Sequence, residues 1–172
     1  MDANERQQIL ALLVQGRAAL LKSLEGIDAE AAARLPGDGK WSILGCVEHL
    51  AFSEDYLFSQ IMAATPPQKS LTNELREARM LERGTDRSRH LESPDGGQPK
   101  GRFPTLGAAV GHFLSSRART MEFVEGCQED LRSKATWHPI LGEANNYEML
   151  LSIGVHCLRH VKQIEEIKGS LA

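Results

Sequence analysis

Residues 155–167 read VHCLRHVKQIEEI, and the spacing of two histidines in this stretch decides how the rest of the chain is read. His156 and His160 stand four residues apart in a segment whose apolar residues recur with helical period. Side chains at i and i+4 of an α-helix lie one above the other on the same face. Leu150, Ile153, Cys157, Ile164 and Ile167 form the stripe this last helix buries. His160 lies within that stripe and His156 on its border, and Gly169 is a natural stop. The helix starts at Asn145 or Asn146, where Asn145 followed three residues later by Glu148 resembles a capping box. Two histidines sharing a helix face by chance is the plain reading of so short a pattern. Against it stands the direction of the pair, since imidazole nitrogens turned to the core without partners are costly.

A third imidazole comes from upstream. Trp41-Ser42 opens the second helix, with Ser42 as N-cap, and Ile43, Val47, Leu50, Leu57 and Ile61 make its stripe. Thr65-Pro66-Pro67 stops it, and His49 sits beside the stripe. Three histidines from two helices leave coordination positions open, which separates catalytic from closed structural metal sites. Zinc, nickel, cobalt, iron and manganese all suit such a set. The HCLRH pattern lacks the glutamate of HExxH, so the zincin protease reading fails at its general base. Of the remaining histidines, His112 falls off the best face of the third helix. His90 belongs to a polar loop and reads as solvated. His138 stands in the corner before the last helix, where it can cap or approach a pocket.

The other elements follow the same logic. Residues 4–25 form the first helix, with Ile9, Leu10, Leu13, Leu20 and Leu24 on one face and Gly26 beyond its end. An alanine-rich turn and the breaker PGDGK follow. The third helix runs from Thr105 to Cys127 on a face of Leu106, Val110, Phe113, Arg117, Met121 and Val124. Between the second and third helices, a short charged helix is expected over 71–83 and a flexible loop over 84–104. The 64–104 connection is long enough to cross the length of a bundle and start the next helix from the same end. KATWHPILGEA (134–144) reads as an irregular corner, and no stretch alternates as a strand would. The expectation is all-α, four main helices in one domain spanning 1–172.

The bulk numbers exclude several classes of function. A chain of 172 residues, 41% hydrophobic and 25% charged, is one globular domain able to bury a core. A net charge of −3 gives no basic patch for nucleic acid, and Arg83, Arg87 and Arg89 form only a loose cluster. No apolar run reaches the roughly 18 residues of a membrane span. The polar start MDANERQQIL carries no signal-peptide segment, so the cytoplasm is the expected location. Cys46, Cys127 and Cys157 are odd in number and form no CxxC pair, which makes them small buried hydrophobes rather than a disulfide framework.

Several of these motifs together resemble the DinB/YfiT-like superfamily. They are Trp41-Ser42-Ile43-Leu44 followed by His49, then Trp137-His138-Pro139-Ile140-Leu141-Gly142, and finally His156, Arg159, His160, Gln163 and Ile164. The resemblance spans nearly the whole chain. It implies a four-helix bundle of up-down-down-up type with a long crossover between the second and third helices. It also implies a divalent metal held by His49, His156 and His160. Family members with assigned activity are mostly metal-dependent transferases that use low-molecular-weight thiols. The resemblance therefore implies a small-molecule thiol and an electrophile as partners, and a homodimer paired through a helix face. A metal-dependent hydrolase and a non-catalytic metal-binding bundle remain the alternatives. Gln163, three residues beyond His160 on the same face, is a candidate for contact with substrate. Arg159 is a candidate for a thiol's carboxylate or a plain surface arginine. Glu48 adjoins His49 but projects about 100° away round the helix, which argues against a role in supporting the imidazole.

Overall fold

In the computed structural model the chain runs α1 (Ala3–Ser23), α2 (Ala29–Ala33), α3 (Ile43–Ala63), α4 (Glu74–Arg83), α5 (Leu106–Gly126), β1 (Ala135–His138), β2 (Gly142–Asn145) and α6 (Asn146–Leu171). The structure describes residues 1–69, 71, 74–88 and 91–171, so Arg89 and His90 of the polar loop lie outside the described residues. Each long helix starts at a side chain that caps it. Asp2 accepts from Glu5 N in a reciprocal capping box, Ser42 accepts from Gly45 N and Thr105 accepts from Ala108 N. At α6, Asn145 Oδ1 accepts from Glu148 N at 2.9 Å while Glu148 Oε2 accepts from Asn145 N at 3.0 Å. Such caps satisfy backbone donors that the helix itself cannot.

The four long helices form a ring in which α1 packs on α5 and α6, and α3 packs on the same two. Named contacts give their directions. Gln8 meets Tyr147 and Ser23 meets Lys168, so α1 and α6 run the same way. Glu54 meets Arg117 and Phe58 meets Phe123, so α3 and α5 also share a direction. Ile61 meets Asn146 while His49 meets His156, so α3 opposes α6. The connection from 64 to 105 therefore returns the chain to the end from which α3 started. Close approach of α1 to α6 depends on two glycines: a Cβ at Gly154 would lie 2.5 Å from Leu12 Cγ, and one at Gly16 3.2 Å from Cys157 Sγ.

Two elements differ from the sequence expectation: the alanine-rich turn after α1 forms the five-residue helix α2, capped by Asp28, and the corner before α6 is not irregular. The corner over 134–144 contains a two-stranded antiparallel hairpin, with Ala135 opposite Asn145 and His138 opposite Gly142. Strands of four residues are too short to show an alternation, and most of their pairing is with each other rather than with a sheet. Gly142 takes φ +74°, the left-handed region that a tight hairpin end uses and glycine favours. Thr65 bridges to Ala135 and docks the hairpin on the end of α3.

The core has two apolar halves. Ile9, Leu57, Ile61, Val124, Tyr147 and Leu150 belong to one. Leu20, Ile43, Val47, Phe113, Cys157 and Ile164 belong to the other. Between them on α3, α5 and α6 stand Glu54, Arg117 and His156. The functional question lies in this polar layer and at its edge. Among the described residues no helix is long and apolar enough to cross a membrane.

Candidate metal centre

Because α3 and α6 are antiparallel neighbours, His49 faces the pair His156 and His160, which their four-residue spacing stacks on one face. His156 Nε2 lies 2.9 Å from His49 Nε2 and 3.0 Å from His160 Nε2. One ring nitrogen from each residue falls within 4.8 Å of the other two. His49 and His160 are buried and His156 is half-buried. Trp41 walls the cluster, stacked on His160 with ring planes 8° apart and tilted against His49 at 4.9 Å between centroids. Ser53 Oγ stands 3.4 Å from His49 Nε2.

The protonation of the cluster follows from its partners. His49 Nδ1 lies 2.7 Å from the Gly97 carbonyl, which can only accept, so Nδ1 carries the proton and Nε2 keeps a lone pair. Burial holds His156 well below the ordinary imidazole range, with His49 adding to the effect. Burial does the same for His160, reinforced by His156 and His49. His49 is lowered by burial as well, against the opposing pull of the Gly97 carbonyl. The three rings are therefore neutral at pH 7.

Neutral rings in this arrangement cannot satisfy one another. A proton on His156 Nε2 can point at one of its two close neighbours and not at both, and His49 Nε2 has none to give. The buried Nδ1 of His160 makes no hydrogen bond of good geometry among the described residues, although the Gln163 side chain interacts with this ring. A cation at the shared point would accept all three lone pairs. Donors about 2.0–2.1 Å from one ion and at right angles lie about 2.9 Å apart, close to the separations found here. The donor set thus suits a divalent metal of the imidazole-binding kind.

The surroundings are polar and largely paired. Arg159 donates to the Asp86 carbonyl, and Arg87 contacts Glu166 and Gln163. Both guanidiniums lie close enough to disfavour protonation of the nearby rings, Arg159 at His156 and Arg87 at His160. Gln163 borders His160 as its place on α6 requires, with its Oε1 accepting from Arg87 at 3.2 Å. The hydrogen bonds of Glu48 among the described residues go to Lys100, Gly101 and Arg102 rather than to an imidazole. Burial alone would raise its carboxyl, but hydrogen bonds from Lys100 and Arg102 outweigh burial and hold it below its ordinary value.

The remaining histidines are placed elsewhere. His112 is exposed and pairs with Asp55 at 2.6 Å on the α3–α5 side. His138 caps the hairpin turn: its Nδ1 accepts from the backbone N–H groups of Ile140 and Leu141, and its Nε2 lies 2.8 Å from Ser152 Oγ. Sequence reading gave no sign of Gly97, which is 48 positions from the histidine it orients. Trp41 was visible as the residue before an N-cap, but its stacking on His160 depends on α6 being α3's neighbour.

A family model described as the DinB superfamily matches residues 12–164. Among solved structures, the chain is similar to YfiT from Bacillus subtilis, described as a probable metal-dependent hydrolase with an unusual four-helix bundle topology. The match has a TM-score of 0.62, covers 99% of this chain and 90% of that one, and has 14% sequence identity, so it concerns the fold. No curated protein matches the chain in sequence.

Proposed function

The chain belongs to the DinB superfamily, and from that premise we propose that it is a divalent-metal-dependent enzyme with His49, His156 and His160 as ligands. The observation that carries this reading is the convergence of three neutral imidazoles, each with one ring nitrogen within 4.8 Å of the other two. A divalent ion bound there supplies Lewis acidity, lowering the pKa of a thiol or a water at its remaining positions. The protein's part is to hold the donors neutral and oriented. Gly97 fixes the tautomer of His49, and Trp41 shields His160.

Between a thiol and water, the surroundings favour the thiol. Glu48 is engaged by Lys100, Gly101 and Arg102, and Glu54 by Arg117, so neither carboxylate is placed to take a proton from water. A thiol, with a pKa of about 8.5 against 15.7 for water, ionises with far less help. Arg87 and Arg159 border the cluster and favour an anionic substrate. The finer reading is a thiol-dependent S-transferase acting on small electrophiles. The thiol loses its proton to solvent, its sulfur forms a bond to the electrophilic carbon, and the electron pair of the broken carbon–halogen or carbon–oxygen bond leaves with the departing group. Hydrolysis is the second reading, favoured by the description of the structural neighbour YfiT as a probable metal-dependent hydrolase.

Elemental analysis of untagged, natively expressed protein is expected to find stoichiometric divalent metal, and His156→Ala or His160→Ala to abolish it. Metal-free wild type, or variants of unaltered affinity, would sink the metal reading. A panel of thiols and electrophiles offered to the loaded protein separates the chemistries. Thiol-dependent turnover lost in His49→Ala supports S-transfer, and turnover without thiol supports hydrolysis. Metal-dependent stability with no turnover on any pair supports a non-catalytic bundle.

A further inference from the structure

Residues 93–102 form a strap that lies along one face of α3. The face consists of Gly45, Glu48, His49 and Phe52, at the i, i+3, i+4, i+7 spacing that brings side chains together on a helix. Pro99 packs over Gly45, where an added Cβ would meet its Cγ at 3.3 Å. The Glu48 carboxylate accepts from Lys100 N at 2.6 Å, Gly101 N at 3.1 Å and Arg102 Nη1 at 2.7 Å. Arg102 also lies over the Phe52 ring, 4.4 Å from its centroid. The same guanidinium donates to the carbonyls of Gly96 at 2.7 Å and Gln98 at 2.9 Å. Those two residues flank Gly97, whose own carbonyl orients His49.

Glu48 is 2% exposed, so its charge is not stabilised by bulk water. The strap supplies its donors, and Glu48 in turn fixes the strap. Glu48 is thus linked to Nδ1 of His49 through its hydrogen bond with Arg102, the bonds of Arg102 to the Gly96 and Gln98 carbonyls, and the short piece of backbone that carries the Gly97 carbonyl between them. Gly97 has little room to move within it, since a Cβ there would lie 3.4 Å from His49 Cε1 and 2.5 Å from Ser93 Oγ.

We propose that Glu48 is a positioning residue for the metal centre, acting through the 93–102 strap, and that strap order and metal loading are coupled. The inference rests on the reading of His49, His156 and His160 as metal ligands. Groups that orient a ligating histidine typically change metal affinity 10- to 100-fold when removed. Coupling between two equilibria is reciprocal, so metal at the histidines must also quiet the strap.

The test uses the full chain with Zn(II) or Ni(II), reading affinity by chelator competition and strap order by amide hydrogen exchange over 96–102. Metal is expected to slow exchange across the strap in the wild type. Glu48→Gln is expected to speed that exchange and to lose at least tenfold in metal affinity. In a His49→Ala background, where the route is already cut, the same substitution should change the residual affinity by less than twofold. Should Glu48→Gln fail to fold, Arg102→Gln cuts the chain from its partly exposed side and carries the same expectations. A loosened strap with unchanged metal affinity, or equal losses with and without His49, overturns the coupling while leaving the metal centre intact. A wild type that binds neither ion overturns both.

Discussion

Glu54–Arg117 and the histidine cluster are neighbouring polar groups on the same bundle, built to opposite ends. Arg117 is fully buried and meets Glu54 in a two-point contact of 2.7 and 2.8 Å. Its remaining terminal nitrogen donates to the Leu13 carbonyl, and the guanidinium lies over Phe113. The histidine cluster turns one nitrogen of each ring toward a shared point instead. Low dielectric strengthens a satisfied polar group and penalises an unsatisfied one. The first cluster is therefore complete as it stands, whereas the second crowds three ring nitrogens onto one point.

Cutting the complete cluster should have the largest effect. Arg117→Ala leaves the Glu54 carboxylate buried without its partner and is expected to cost about 3–5 kcal/mol in urea denaturation. Glu54→Leu with Arg117→Met removes both charges and keeps apolar volume, so the pair should be more stable than either single change. A double variant as unstable as the two single losses added together would erase the distinction.

The second effect is a pH dependence of the metal-free protein. Burial, with a smaller contribution from Arg76, holds His138 down to about 4. Burial also leads the lowering at His49, His156 and His160. The unfolded chain protonates these rings near 6.5. Below that pH it binds protons the fold refuses, so stability is full above about 6.5 and falls toward the lowered folded values. Replacing His138 by Gln should make the slope shallower by about 1 kcal/mol per pH unit between about pH 6 and 4.5, most of the contribution of one proton. An unchanged slope in urea midpoints would show that His138 is not held neutral by the fold.

The smallest effect belongs to a third cluster, on the surface. Asp55 there accepts from His112, Ser116 and Arg119. His112→Ala should change stability by less than about 1 kcal/mol, because exposed pairs contribute little, and should leave metal affinity untouched. A change in affinity would bring α5 into the site.

Much of this was legible in sequence because it is local. Ser42 and the Asn145–Glu148 pair cap the helices they precede because a cap needs residues within three positions of each other. The facing of His156 and His160 follows from helical pitch alone. The hairpin escaped because β1 and β2 are four residues each, shorter than any alternation that could mark them. Arg117 was visible on a buried face, but nothing local tied it to Glu54, 63 positions away.

What the sequence determined by itself was the four long helices, the caps of two of them and the histidine-bearing faces, since each rests on i to i+4 geometry. Only the tertiary structure decided that α3 and α6 are antiparallel neighbours, which brings His49 to the other two. It also decided that a glycine carbonyl from a distant strap would set the tautomer of His49. Backbone carbonyls are present at every residue, so no residue type announces which one will serve. That choice comes from packing.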